Sequence, residues 1–174
     1  MNFEALARSF VRQAQAAQGK RIDIRYNETV QHITVREGRF LVETQDTCYQ
    51  SRTLVVCAGG HSLKLAQDLG YGLHYSCLPV AGSFYFTPDL LRGKVYTVQN
   101  DALPFAAIHG DPDVLVPGKT RFGPTALVLP ILESYNLSTL LDLLQVFRFD
   151  KRVARVLYEL LRDRDIRNYM FKNM

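Results

Sequence analysis

The stretch PFAAIHGDPDVLVPGKTRFGPTA, Pro104 to Ala126, sets a histidine, a lysine and an arginine among Gly and Pro turn signals. Short apolar runs broken by such punctuation predict strands joined by tight connections, not helices. His109 follows the run FAAI and precedes Gly110-Asp111-Pro112, so its imidazole is expected where a strand meets a turn. Lys119 and Arg121 are alternate residues of an extended segment and therefore share a face. Phe122-Gly123-Pro124-Thr125 reads as a further turn.

The same pattern extends outward. From Leu78 to Leu129 the runs LPVAGSFYF, KVYTVQN, FAAIHG, DVLVPG and TALVLP are rich in Val, Tyr, Phe and Thr, which predicts a mainly antiparallel sheet. Upstream, Phe3, Leu6, Ala7, Phe10, Val11, Ala14 and Ala17 recur at helical spacing, so residues 2–18 are expected to be an amphipathic helix closed by Gly19. Four β-type runs follow, IDIRY, TVQHITVRE, FLVETQD and TLVVCAG, with turns at Asn27, at Glu37-Gly38 and near Gln50. HSLKLAQDL, residues 61–69, predicts a short helix that Gly70 and Gly72 close. Beyond Pro130 the period returns to helical, with one apolar stripe from Leu137 to Phe147 and another from Val153 to Leu161.

Composition bounds the class. An apolar share of 47% beside 22% charged residues describes a globular chain of 174 residues, not a disordered one. No uncharged run approaches the roughly 18 to 20 apolar residues of a membrane span, and MNFEALARSF lacks the order of a signal peptide. Cytoplasmic location is the expectation. Cys48, Cys57 and Cys77 are odd in number and widely spaced, which suggests neither a disulfide framework nor a metal site; Cys57, inside LVVCAG, reads as a small buried hydrophobe. Asp111 and Asp113 flank Pro112 and read as turn formers, with no ligand cluster to complete a metal shell. Residues 148–174 hold eight Lys or Arg against four Asp or Glu, while the first 147 residues balance. Without interleaved aromatics or a recognisable module this tail does not suggest nucleic acid. Arg152, Arg155 and Arg162 lie opposite a leucine stripe, so the tail reads either as a face for an anionic membrane surface or as solvated and paired arginines.

The phrases CAGGHSLKLAQDLGYG, LPVAGSFYF and GKVYTVQN, together with Pro104–Ala126, closely resemble the malate:quinone oxidoreductase family. The resemblance implies FAD-dependent oxidation of (S)-malate to oxaloacetate, with electrons delivered to a membrane quinone at the inner face of the cell membrane. It implies a fold class of α/β plus mixed α+β: the latter half of a flavin-binding Rossmann-like domain over residues 1–72, joined to an antiparallel-sheet substrate domain with C-terminal helices over 73–174. One departure is clear, since no G-x-G-x-x-G stands between a strand and a helix. The chain is therefore expected to be an internal or truncated portion that does not retain FAD alone and self-associates through unpaired edges.

By this resemblance His109 is expected to take the malate hydroxyl proton, histidine being the residue type suited to proton transfer near neutral pH. Read from the residues alone, it is a histidine bonded to nearby backbone. Lys119, Arg121 and Thr125 are expected to bind the substrate, because two buried carboxylates need cationic partners. Otherwise they are a solvated strand face. Ala58, Gly59 and Gly60, together with Gly123 and Pro124, are expected near the flavin, where bare backbone permits close approach. A related FAD-dependent oxidase of a 2-hydroxyacid such as L-2-hydroxyglutarate, or a non-catalytic remnant or excised domain, are the alternatives.

Overall fold

In a computed structural model, which describes residues 2–99, 107–148 and 150–172, the chain opens on helix α1, Phe3–Gln15. The Asn2 side chain accepts the Ala5 amide at 3.0 Å and caps it. The helix stops short of the expected residue 18. Its apolar stripe is uncovered: Phe3 and Phe10 are 72% and 61% exposed.

Strands β1 (Val30–Arg36), β2 (Arg39–Thr44) and β3 (Cys48–Ser51) form an antiparallel meander in that order. Glu37 and Gly38 both adopt positive φ between Arg36 and Arg39, so the turn expected there is a two-residue hairpin. Gln50, expected in a turn, lies instead within β3, opposite Leu41. The runs IDIRY and TLVVCAG are not strands. Among the described residues neither joins a ladder, so their β-propensity has no partner to realise it, and TLVVCAG ends in the 3-10 turn that begins at Gly59; Val55 is 78% exposed and Cys57 is exposed rather than buried.

A turn of 3-10 helix, Gly59–His61, leads into helix α2, Ser62–Asp68. The amides of Gly70 and Tyr71 return to the carbonyls of Gln67 and Ala66, a Schellman closure with Gly70 in the left-handed conformation.

The second sheet is antiparallel, in the order β4 (Val80–Pro88), β7 (Lys119–Val128), β6 (His109–Pro112), β5 (Val95–Tyr96). Part of the run FAAIHG lies outside the described residues. Two expected turns are strand: Gly110-Asp111-Pro112 continues β6, and Phe122–Thr125 sits within β7. The connection is supplied by residues 113–118 instead, where DVLVPG was expected to be a strand. Asp113 decides this, its carboxylate accepting the amides of Leu115 and Val116 at 2.7 and 2.8 Å and curling the chain into a loop.

A 3-10 turn, Leu137–Thr139, precedes α3 (Leu140–Phe147), and α4 (Lys151–Arg162) and α5 (Arg164–Lys172) follow. Asp150 caps α4 through the amides of Arg152 and Val153. Among the described residues the buried apolar side chains are Ile33, Ile131, Leu143 and Val146. Two of these, Leu143 and Val146, lie on α3, which packs on α2, so the chain after residue 130 returns to the part that precedes residue 72.

Candidate functional site

One face of the second sheet gathers most of the substrate-site candidates. His109 stands opposite Gly123, and Asp111 opposite Arg121. Alternation puts His109 with Asp111, and Arg121 with Lys119, on that face. Below them Thr120 is fully buried, its hydroxyl accepting the amides of Leu90 and Leu91 and tying the loop after β4 to β7.

Arg121 is not a free cation. Its Nε donates to Oδ1 of Asp111 at 2.8 Å and its Nη2 to Oδ2 at 3.3 Å, a fork-to-fork pair, while Nη1 lies 3.5 Å from Asp113. Its guanidinium also sits 5.1 Å from the centre of the Phe84 ring. The hydrogen bond from Arg121 holds the Asp111 carboxyl below its usual range, and the Leu115 and Val116 amides do the same for Asp113. The Asp111 bond in turn raises Arg121. Asp113 is the turn former expected; Asp111 is a strand residue and an ion-pair partner. Lys119 is exposed at the start of β7.

His109 has a defined tautomer. Its Nδ1 lies 3.3 Å from the Ala107 carbonyl, which can only accept, so in the neutral ring Nε2 carries the lone pair. Aromatic rings flank it: Tyr96 at 5.3 Å and Phe84 at 5.8 Å, with Lys94 over the Tyr96 ring at 4.9 Å.

Gly123 is buried beneath this arrangement. A Cβ there would lie 2.5 Å from the Ser83 carbonyl and 2.8 Å from the Phe84 ring. The β4–β7 register slips between Ser83 and Tyr85, so that Phe84 faces both Gly123 and Pro124, a β-bulge. Thr125 pairs with Ser83 just beyond it. Phe84, Tyr96 and Asp111 were missed by sequence reasoning. Placing the loop at 113–118 would have found Asp111, because it sets residue 111 opposite 121; no local signal marks the two aromatics.

Ala58, Gly59 and Gly60 lie elsewhere, against the segment preceding α3. Gly60 has no room for a side chain, since a Cβ would fall 2.8 Å from the Leu132 carbonyl. Gly59 is exposed with φ +56° and open space where a side chain would be. The turn thus presents bare backbone outward, which fits the close approach of a flat nucleotide group.

Comparison with known proteins adds the family. Residues 1–165 match the family model "FAD dependent oxidoreductase". The chain belongs to that family. It is 47% identical over 177 aligned positions to the malate:quinone oxidoreductase of Helicobacter pylori, covering 100% of this chain and 39% of that protein. Identity to the probable malate:quinone oxidoreductases of Helicobacter acinonychis and Campylobacter jejuni is 45% and 44%, over 100% and 99% of this chain and again 39% of each relative. The chain therefore spans well under half the length of these relatives. Among the described residues no helix is long and apolar enough to cross a membrane.

Proposed function

We propose that this chain forms part of an FAD-dependent malate:quinone oxidoreductase. The observation that carries this reading is 47% identity to such an enzyme along the whole chain, within a matched flavin oxidoreductase family. When bound, FAD would supply the redox chemistry, hydride uptake from malate C2 and electron delivery to the quinone. The chain's own residues contribute to binding the substrate and to moving its proton.

His109 takes the substrate hydroxyl proton at Nε2, the Ala107 carbonyl fixing the tautomer that leaves this nitrogen free. Lys119 meets a substrate carboxylate from the same face. Arg121 contributes the donors that Asp111 and Asp113 leave open, and Thr125 adds a hydroxyl beyond the bulge. Ala58, Gly59 and Gly60 supply the backbone against which the cofactor lies, with Gly59 the most open of the three. Gly123 and Pro124 approach the flavin only on the side that Phe84 does not cover.

A direct test follows malate-dependent reduction of a soluble quinone by the flavin-loaded enzyme, with L-2-hydroxyglutarate as competitor. Faster turnover of the longer acid would replace malate with the alternative substrate. The 174-residue chain alone is expected to be colourless after gel filtration, because it contains no G-x-G-x-x-G to grip the pyrophosphate. A stoichiometric flavin spectrum would contradict that expectation.

A further inference from the structure

Two carboxylates from separate places in the chain close on one imidazole at the end of the Gly59-Gly60 turn. Nδ1 of His61 is 3.3 Å from Oε1 of Glu133, and Nε2 is 3.3 Å from Oδ2 of Asp142 on α3. The other Asp142 oxygen lies 3.7 Å from Nζ of Lys64 on α2, which also stands 3.7 Å from Asp68. His61 follows Gly60 directly, and Glu133 follows the Leu132 whose carbonyl leaves Gly60 no room for a side chain. The clasp and the tight backbone contact therefore hold the same few residues. They form one wall of a polar cleft of about 670 Å³ that Ala58, Thr29 and Ser138 also line.

A neutral imidazole has one N–H and one lone pair. It can donate to one carboxylate and must turn its lone pair on the other. Only the imidazolium donates to both, with charge assistance. The two contacts at 3.3 Å are therefore both satisfied as donations only when the ring is doubly protonated.

We infer that His61 is a positioning residue whose protonated ring, clasped by Glu133 and Asp142, holds the Ala58–Gly60 turn against Leu132 and α3 and sets how far Gly59 projects. That this matters for the flavin rests on the reading that the turn meets the cofactor. Of the two contacts, Asp142 is the stronger, because its side chain is 32% exposed against 53% for Glu133 and so is less screened.

The test is hydrogen exchange read by mass spectrometry on the 174-residue chain between about pH 5 and 8, where imidazoles titrate, corrected for intrinsic exchange. The reporters are the amides of His61 and Ser62, which donate to the carbonyls of Ala58 and Gly59. Their protection is expected to fall about tenfold as pH rises, the equivalent of one hydrogen bond. His61→Gln, which keeps a donor but cannot titrate, is expected to abolish the pH dependence; Asp142→Asn should reduce it more than Glu133→Gln does. Protection of the β1–β2 hairpin serves as the folding control, and the wild-type series decides alone where a variant fails it. Protection that ignores pH in the wild type, or a pH dependence that survives in His61→Gln, overturns the inference. FAD titration by fluorescence, run on the flavin-stripped complete enzyme and its His61→Gln variant, separates the two claims. Affinity that follows the same pH curve only in the wild type supports the link to the cofactor, and affinity indifferent to His61→Gln removes that link. A wild-type active enzyme that binds no FAD sinks the flavin reading, while the exchange result still decides the role of His61 in the turn.

Discussion

The rings of His109 on β6 and Phe84 on β4 meet edge to face with centroids 5.8 Å apart, although β7 runs between their strands. The contact exists because β7 carries glycine where it passes between them. Phe84 lies over Gly123 and reaches the imidazole beyond, so one backbone position without a side chain shapes the surroundings of the candidate base.

Gly123→Ala is expected to destabilise the chain by about 1 to 3 kcal/mol through overpacking, its methyl meeting the Ser83 carbonyl and the Phe84 ring. Urea unfolding measures it. A variant that matches the parent in midpoint would show that Phe84 moves aside at no cost.

Arg121→Ala and Lys119→Ala are expected to differ in kind. Removing Arg121 strands the Asp111 carboxylate, whose side chain is only 13% exposed, and should cost about 1 to 3 kcal/mol of stability before any substrate is added. Removing exposed Lys119 should leave stability unchanged and raise KM for malate in the active enzyme. Thermal melts beside steady-state kinetics check both; an Arg121 variant of parental stability and raised KM would make Arg121 a substrate ligand first.

His109→Ala is expected to lower kcat by about two to four powers of ten, the usual worth of a positioned base, with KM little changed. Stopped-flow flavin reduction isolates the step. Loss in the quinone half-reaction alone would move His109 out of the proton-transfer role.

Acid should release the Arg121 cluster. The Asp111 carboxyl is depressed in the fold below its ordinary 3.8, first by the bond from Arg121. A depressed acid contributes stability that is fully present above the unfolded value and is lost as pH falls from there through the folded value. Stability is therefore expected to decline below about pH 4 through this group, and Asp111→Asn should flatten that limb while lowering stability at neutral pH. Urea midpoints across the acid range provide the check.

The arginines of α4 test the membrane reading. Arg152, Arg155 and Arg162 are exposed, although Arg155 already pairs with Glu159 at 3.1 Å. If the helix meets anionic lipid, each contributes roughly 1 kcal/mol near the surface. Co-sedimentation with phosphatidylserine vesicles should then weaken with salt and with all three replaced by glutamine. Binding indifferent to the replacement would exclude α4 as the contact.

Much of the architecture was legible because its causes are local. Gly38 marks the turn between two β-type runs, Gly70 closes α2 through its own backbone, and the leucine spacing after Pro130 writes α3 and α4. The resemblance of whole phrases pointed to a flavin oxidoreductase, and the family match agrees. What the sequence by itself determined ends where partners become non-local. Alternation put Lys119 and Arg121 on one face but did not say that Asp111 and Asp113 would occupy the guanidinium; that needed the β6–β7 register, which the Asp113 loop sets. IDIRY and TLVVCAG carry strand propensity, yet a strand exists only when another chain segment completes its ladder, and among the described residues none pairs with them. The clasp on His61 was equally invisible, because Glu133 and Asp142 lie some seventy and eighty residues away and reach it only once α3 has packed on α2. Side-chain chemistry and local turns are written residue by residue, whereas charge neutralisation, ring contacts and strand pairing depend on distances that the folded chain alone sets.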